Sequence, residues 1–167
     1  MNTIDPYKTI NIPSVKLPII VRGKSFIDSL SKITANKKII IFGVPGSFTP
    51  TCSEKHLPGY ISLLNDFITL GIEDIYCLAV NDVFVLKAWL LSFANGNLIK
   101  GIADGNGEFT KVMDLEIDYS ENFMGARCKR FALIANNNVV DSLYVEKKGE
   151  FLVSSAEYVL ENYVKKL

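Results

Sequence analysis

The sequence predicts an α/β domain built on a mixed central β-sheet flanked by helices, and three observations carry that prediction. Short apolar runs bounded by Gly or Pro, at Lys38–Phe42, Asp74–Val80 and Leu98–Ala103, alternate with segments of helical character. Near the end, Arg130–Ala135 and Val139–Val145 flank Asn136-Asn137-Asn138, a hairpin signal because Asn tolerates the left-handed backbone. The last stretch places Ala156, Leu160, Tyr163, Val164 and Leu167 on one helical face. Strands joined by helices are parallel and a hairpin is antiparallel, so the sheet is mixed. No repeat, low-complexity tract or linker interrupts the 167 residues, which read as one domain over 1–167.

Taken in order, residues 1–35 read as strand pieces with a short helix around Ser25–Lys32. The strand Lys38–Phe42 is broken by Gly43-Val44-Pro45-Gly46. A helix is predicted from Cys52 to Leu70, with Thr51 and Glu54 at capping-box spacing and Gly71 just past the C-terminus. Pro58-Gly59 inside it predicts a kink, since Pro58 has no N–H for the carbonyl one turn earlier. Val83–Phe93 is apolar nearly all round and predicts a buried helix. Glu108–Met113 reads as a short helix, and Ser154 with Glu157 as a capping box for the last one.

Composition narrows the function classes. Lys plus Arg equals Asp plus Glu at 18 each, so the basic excess wanted by a nucleic-acid or anionic-membrane partner is missing. No apolar stretch approaches the ~20 residues of a membrane span. The start MNTIDPYKTI does not read as a signal peptide. Cys52, Cys77 and Cys128 form neither CxxC nor a metal-ligand spacing, and their odd number suits reduced intracellular thiols. The segment DGNGE at 104–108 starts like a calcium loop, but Phe109 and Leu115 stand where Gly and Glu are needed. No metal, phosphate loop or dinucleotide fingerprint is expected.

Attention falls on GVPGSFTPTCSEKHLPGY, residues 43–60, where a strand feeds a turn and a cysteine opens a helix. First-turn N–H groups are unpaired and the helix dipole is positive there, so a thiolate at Cys52 is favoured over the thiol. His56, the one histidine, lies four residues on and raises a Cys/His nucleophilic pair as a rival, although no orienting carboxylate can be assigned.

Pro45, Thr49 and Cys52 together form P-x-x-x-T-x-x-C, which resembles the active-site signature of the peroxiredoxins. The longer PGSFTPTCSEKHLPGY is similar to the type II plant and Prx5-like branch. So, in the same order, are AVNDVFVLKAW (79–89), IADGNGEF (102–109), GARCKRFAL (125–133) and GEFLVSSAE (149–157). The resemblance implies a thioredoxin-like fold and a thiol peroxidase reducing hydrogen peroxide and organic hydroperoxides. Cys52 would be the peroxidatic thiolate that becomes sulfenic acid. Thr49 would bond thiolate and peroxide, Pro45 would shield the sulfur, and Arg127 would hold the thiolate with its fixed charge. Arg130 ranks second for that cationic role. His56 is taken as a packing or reductant-contact residue.

The resemblance also implies how the enzyme is reset. Prx5-like members of animals carry a resolving cysteine in the stretch matched by FLVSSAE, where this chain has Ser154. Cys77 matches the second cysteine of the plant pattern but reads equally as a small buried strand residue, and Cys128 is assigned no required role. The expectation is a 1-Cys cycle with no bound cofactor, recycled by external glutathione and glutaredoxin or a thioredoxin-type reductant. The second reading kept open is a peroxide-sensing relay in which oxidised Cys52 signals to a partner protein. A homodimer is expected, with Phe48 and the Val83–Phe84 segment at its contact. The compartment is expected to be cytoplasm, or a plastid or mitochondrion if a presequence has been removed.

Overall fold

The computed structural model describes residues 8–167; the first seven, most of the MNTIDPYKTI start, lie outside the described residues. The chain opens with a hairpin of β1 (Lys16–Val21) and β2 (Lys24–Ser29), turned by Arg22 and Gly23 at φ 49° and 76°. Positive φ at both central residues suits the right-handed twist of a hairpin. This overturns the helix expected over Ser25–Lys32. Cross-strand pairing takes that backbone, and only α1 (Leu30–Ile33) is helical.

β3 (Lys38–Val44) leads into the cysteine-bearing turn. Then come α2 (Leu57–Ser62), α3 (Leu64–Thr69), β4 (Asp74–Ala79), α4 (Val83–Leu91), β5 (Lys100–Ala103) and α5 (Glu108–Val112). A separate pair, β6 (Glu116–Asp118) and β7 (Ala126–Cys128), precedes the hairpin of β8 (Phe131–Asn136) and β9 (Val139–Val145), and α6 (Ala156–Lys165) ends the chain. The expected Asn turn is there, with Asn137 and Asn138 at φ 47° and 66°.

The main sheet has the order β2-β1-β5-β4-β3-β8-β9. β3 runs parallel to β4 and β4 to β5, while β8 is antiparallel to β3, which makes the sheet mixed as predicted. Strand alternation sends Phe42, Val44, Cys77 and Ala79 to a face covered by α2, α3, α4 and α6. Ile39, Ile41, Tyr76 and Leu78 go to the other face, under α1 and α5. At Gly43 the ring of cross-strand Phe131 fills the side-chain space: a Cβ would sit 2.0 Å from its Cε1. No helix among the described residues is long and apolar enough to cross a membrane.

Three helix boundaries differ from expectation. The helix begins two residues before Cys52: the Ser53 N–H donates to Thr49 O (3.0 Å), and Pro50 occupies the first helical position. Thr51 is therefore already helical (φ −62°, ψ −36°), and its capping box does not form. The segment Cys52–Leu70 is also broken. Cys52–His56 is a π turn in which the Leu57 N–H reaches Cys52 O, five residues back, and α2 and α3 part at Leu63. Pro58 explains the wide turn, because it cannot supply the N–H an α-helix needs there. At α6 the cap is Ser155, whose Oγ accepts from Tyr158 N–H (3.2 Å); Ser154 is buried instead.

Candidate active site

Cys52 is the third residue of its helix, so its N–H and that of Thr51 precede the first intrahelical bond and the dipole there is positive. The side chain is fully buried on the sheet face carrying Phe42, Val44 and Cys77. Its sulfur is not isolated: Arg130 Nη1 donates to Cys52 Sγ at 3.3 Å. A guanidinium is always charged and can only donate, so the sulfur is the acceptor in this contact.

The same Nη1 donates to His56 Nδ1 (3.1 Å), and His56 Nε2 donates to Ser154 O (3.1 Å). The two contacts fix the tautomer, with the proton on Nε2. Burial, and after it the charge of Arg130, lower the His56 pKa from 6.5 to about 3, so the ring is neutral at pH 7. Phe42 packs against His56 and stacks on Tyr60 with centroids 4.1 Å apart, and the Arg130 guanidinium lies 5.8 Å from the Phe151 ring centre. Trp89 Nε1 donates to Ser53 Oγ (3.0 Å), tying the cysteine turn to α4. Aromatic rings thus surround the Arg130–Cys52 contact and keep it poor in water, where electrostatic attraction is strongest.

On the turn side, Pro45 is buried, and Thr49 Oγ1 donates to Gly46 O at 2.7 Å. With its proton committed, the Thr49 oxygen is left as an acceptor. Among the described residues no three His, Cys, Asp or Glu side chains gather to hold a metal ion.

The model of the Redoxin family matches residues 11–160. Peroxiredoxin-2D of Arabidopsis thaliana is 47% identical over 133 residues, 80% of this chain and 82% of its own. The structure of reduced Prx3 of Vibrio vulnificus in complex with hydrogen peroxide superposes with a TM-score of 0.87 at 39% identity, covering 96% of this chain and 99% of its own. The chain belongs to the Redoxin family as a type II peroxiredoxin, a thiol peroxidase. A 1-Cys peroxiredoxin of Plasmodium falciparum is also similar, with a TM-score of 0.86 at 34% identity over 96% of this chain and 99% of its own. The thioredoxin-like fold expected of a peroxiredoxin is the fold described above.

Four residues were expected to carry the chemistry of this peroxiredoxin. Cys52, Thr49 and Pro45 lie on the one turn into the helix, but Arg127 is displaced from the role given to it. Its Nε donates to Met124 O (2.8 Å) and its Nη1 to Pro45 O (3.4 Å), so it braces the turn from outside, against Gly46. The guanidinium on the sulfur is that of Arg130, previously ranked second. Strand alternation contains the reason. Arg130 shares parity with Ala132 and Ile134, which face the Cys52 side, whereas Arg127 belongs to β7 of the separate pair. Of the two roles expected for His56, packing is the one found: fully buried against Phe42, Tyr60 and Phe151, it has no surface to offer a reductant, and its ring bonds to Arg130 and Ser154 leave no nitrogen for the rival Cys/His pair. The buried Glu146–Ser154 contact was missed altogether, since no motif or spacing in the sequence signals it.

Proposed function

We propose that Cys52 is the peroxidatic residue and that it turns over by a 1-Cys cycle with glutathione and glutaredoxin. The observation that carries the first half is the Arg130 contact on the fully buried Cys52 sulfur, at 3.3 Å. The Cys52 thiolate attacks one peroxide oxygen; the S–O bond forms as the O–O bond breaks, and hydroxide or alkoxide leaves to take a proton from solvent. Sulfur loses two electrons and the peroxide gains them. Arg130 stabilises the anion before attack and the charge that develops on the peroxide. The Thr49 oxygen, its own proton held by Gly46 O, accepts the peroxide O–H and aligns the O–O bond with the sulfur. Pro45 excludes water.

What supports the 1-Cys cycle is the environment of the other thiols. Cys77 lies mid-strand in β4, in register with Phe42, and Cys128 is equally buried. A disulfide needs Cα atoms within ~7 Å and suitable Cβ vectors, so a thiol fixed inside a sheet is a poor partner without unfolding. Glutathione then condenses with the sulfenic acid, releasing water and leaving a mixed disulfide, from which the glutaredoxin thiolate removes glutathione and restores Cys52. Phe48 (59% exposed, φ 62°) and Phe84 (76% exposed) support the homodimer, since apolar rings held in water favour a covering surface.

Mass spectrometry of a single turnover tests the cycle. Cys52 should pass from sulfenic acid to a glutathione adduct that glutaredoxin removes. An intramolecular Cys52–Cys77 disulfide required for turnover would refute it.

A further inference from the structure

Glu146 is buried, and its carboxylate is not neutralised: among the described residues no Lys or Arg nitrogen pairs with it. A bare buried carboxylate is costly unless donors saturate it. Here they do. Leu152 N–H and Ser154 Oγ (2.9 Å) donate to Oε2, Val153 N–H (3.0 Å) donates to Oε1, and Ser154 N–H approaches Oε2 at 3.3 Å. The loop before α6 is gathered onto this one group, which sets where Ser154 O points. That carbonyl accepts from both His56 Nε2 (3.1 Å) and Tyr60 Oη (2.9 Å).

The contacts close on themselves. Glu146 N–H donates to Arg130 O (2.9 Å), its carboxylate holds Ser154, Ser154 O holds His56, and His56 Nδ1 holds the Arg130 guanidinium on Cys52. Arg130 is thus gripped at its backbone and, through three residues, at its side chain. We propose that Glu146 is the positioning residue that aims Arg130 at Cys52, acting through Ser154 and His56. The inference rests on the reading of Cys52 as the peroxidatic residue. It explains why a carboxylate is present: only an acceptor-only group takes every one of these donors, whereas an amide would turn N–H groups toward N–H groups.

The test is the pH profile of Cys52 alkylation in reduced protein, together with the rate of peroxide reduction. Glu146→Gln, nearly the same in shape, should move the alkylation midpoint up by about half a pH unit or more and slow the peroxide reaction roughly 3- to 30-fold. In a His56→Asn background the same change should leave the profile where His56→Asn alone puts it, because the path through His56 is already cut. If Glu146→Gln lowers only the melting temperature, with profile and rate unchanged, the proposal is overturned. If that variant does not fold, Ser154→Ala decides. Loss of one donor should shift the profile in the same direction by less, and an unchanged profile overturns the idea. Alkylation needs no turnover, so this result stands apart from the reading of Cys52 itself, which fails if Cys52→Ser still consumes peroxide.

Discussion

Cys52 and Cys128 are both fully buried, yet their sulfurs stand in opposite relations to their surroundings. Cys128 Sγ donates to Val44 O at 3.2 Å, a contact that requires the proton, and burial pushes its pKa up. Cys52 Sγ instead accepts, from a guanidinium that can only donate. Burial raises the pKa of Cys77 as well. Burial is thus common to all three thiols, and the direction of the hydrogen bond is what separates Cys52 from Cys128.

The sharpest way to break the comparison is to exchange the thiols' fates. Cys52→Ser should abolish peroxide consumption to background, while Cys77→Ala and Cys128→Ala should keep the rate within a few-fold and lose stability instead. Removing a buried sulfur costs contacts and leaves a small cavity, on the order of 1–2 kcal/mol. Stopped-flow kinetics and chemical denaturation read the two effects separately. A Cys77 variant that reacts normally once and then stalls would move the resolving role to that thiol.

Next in size is the choice between two arginines. Arg130→Ala should slow the reaction with peroxide by roughly 10²–10³, about 3–4 kcal/mol, the scale of losing one preorganised charge-stabilising donor. Arg127→Ala should cost roughly tenfold or less, because it touches Pro45 O and Met124 O and not the sulfur. The reverse ranking would restore the sequence-based assignment.

That assignment shows what was legible in the sequence. The parallel strands, the Asn turn and the cysteine at a helix start all follow from local rules of period, backbone tolerance and dipole, and the structure has them. The position of Arg130 was within reach of the same rules, since counting by twos from Ala132 puts it on the Cys52 face. The role of His56 was not. Its partner Ser154 lies 98 residues away, and the Glu146 carboxylate that arranges Ser154 sits across a loop, so no spacing announces either. The helix start was misplaced for a smaller reason: Pro50 pre-sets the backbone for the first helical position, and this outweighed the Thr51–Glu54 pattern.

His56 also carries a pH signature. Its pKa is lowered to about 3 when folded, by burial first and the Arg130 charge second, against an ordinary 6.5 in the unfolded chain. Between those values the unfolded state binds a proton the folded state refuses. The contribution is thus fully present above pH 6.5 and is lost as pH falls toward 3. From pH 7 to pH 5 the loss is about 2 kcal/mol. In denaturant titrations the stability gap between wild type and His56→Asn should narrow by that amount. A gap independent of pH would mean the folded ring accepts the proton.

The smallest effect distinguishes the two things a threonine could do beside this sulfur. If Thr49 served only to shape the turn, Thr49→Val, which keeps the branched shape, would slow the peroxide reaction in proportion to any loss of fold. If its oxygen receives the peroxide O–H, Thr49→Val removes a single neutral hydrogen bond in a dry pocket, about 1 kcal/mol and so roughly five- to tenfold in rate. Thr49→Ser keeps the hydroxyl and its reach to Gly46 O, and should recover most of the rate even with the turn loosened by loss of the methyl. The alkylation rate of Cys52, which involves no peroxide, should be little changed in either variant. Equal slowing of alkylation and peroxide reduction would place the hydroxyl on the sulfur and not on the substrate.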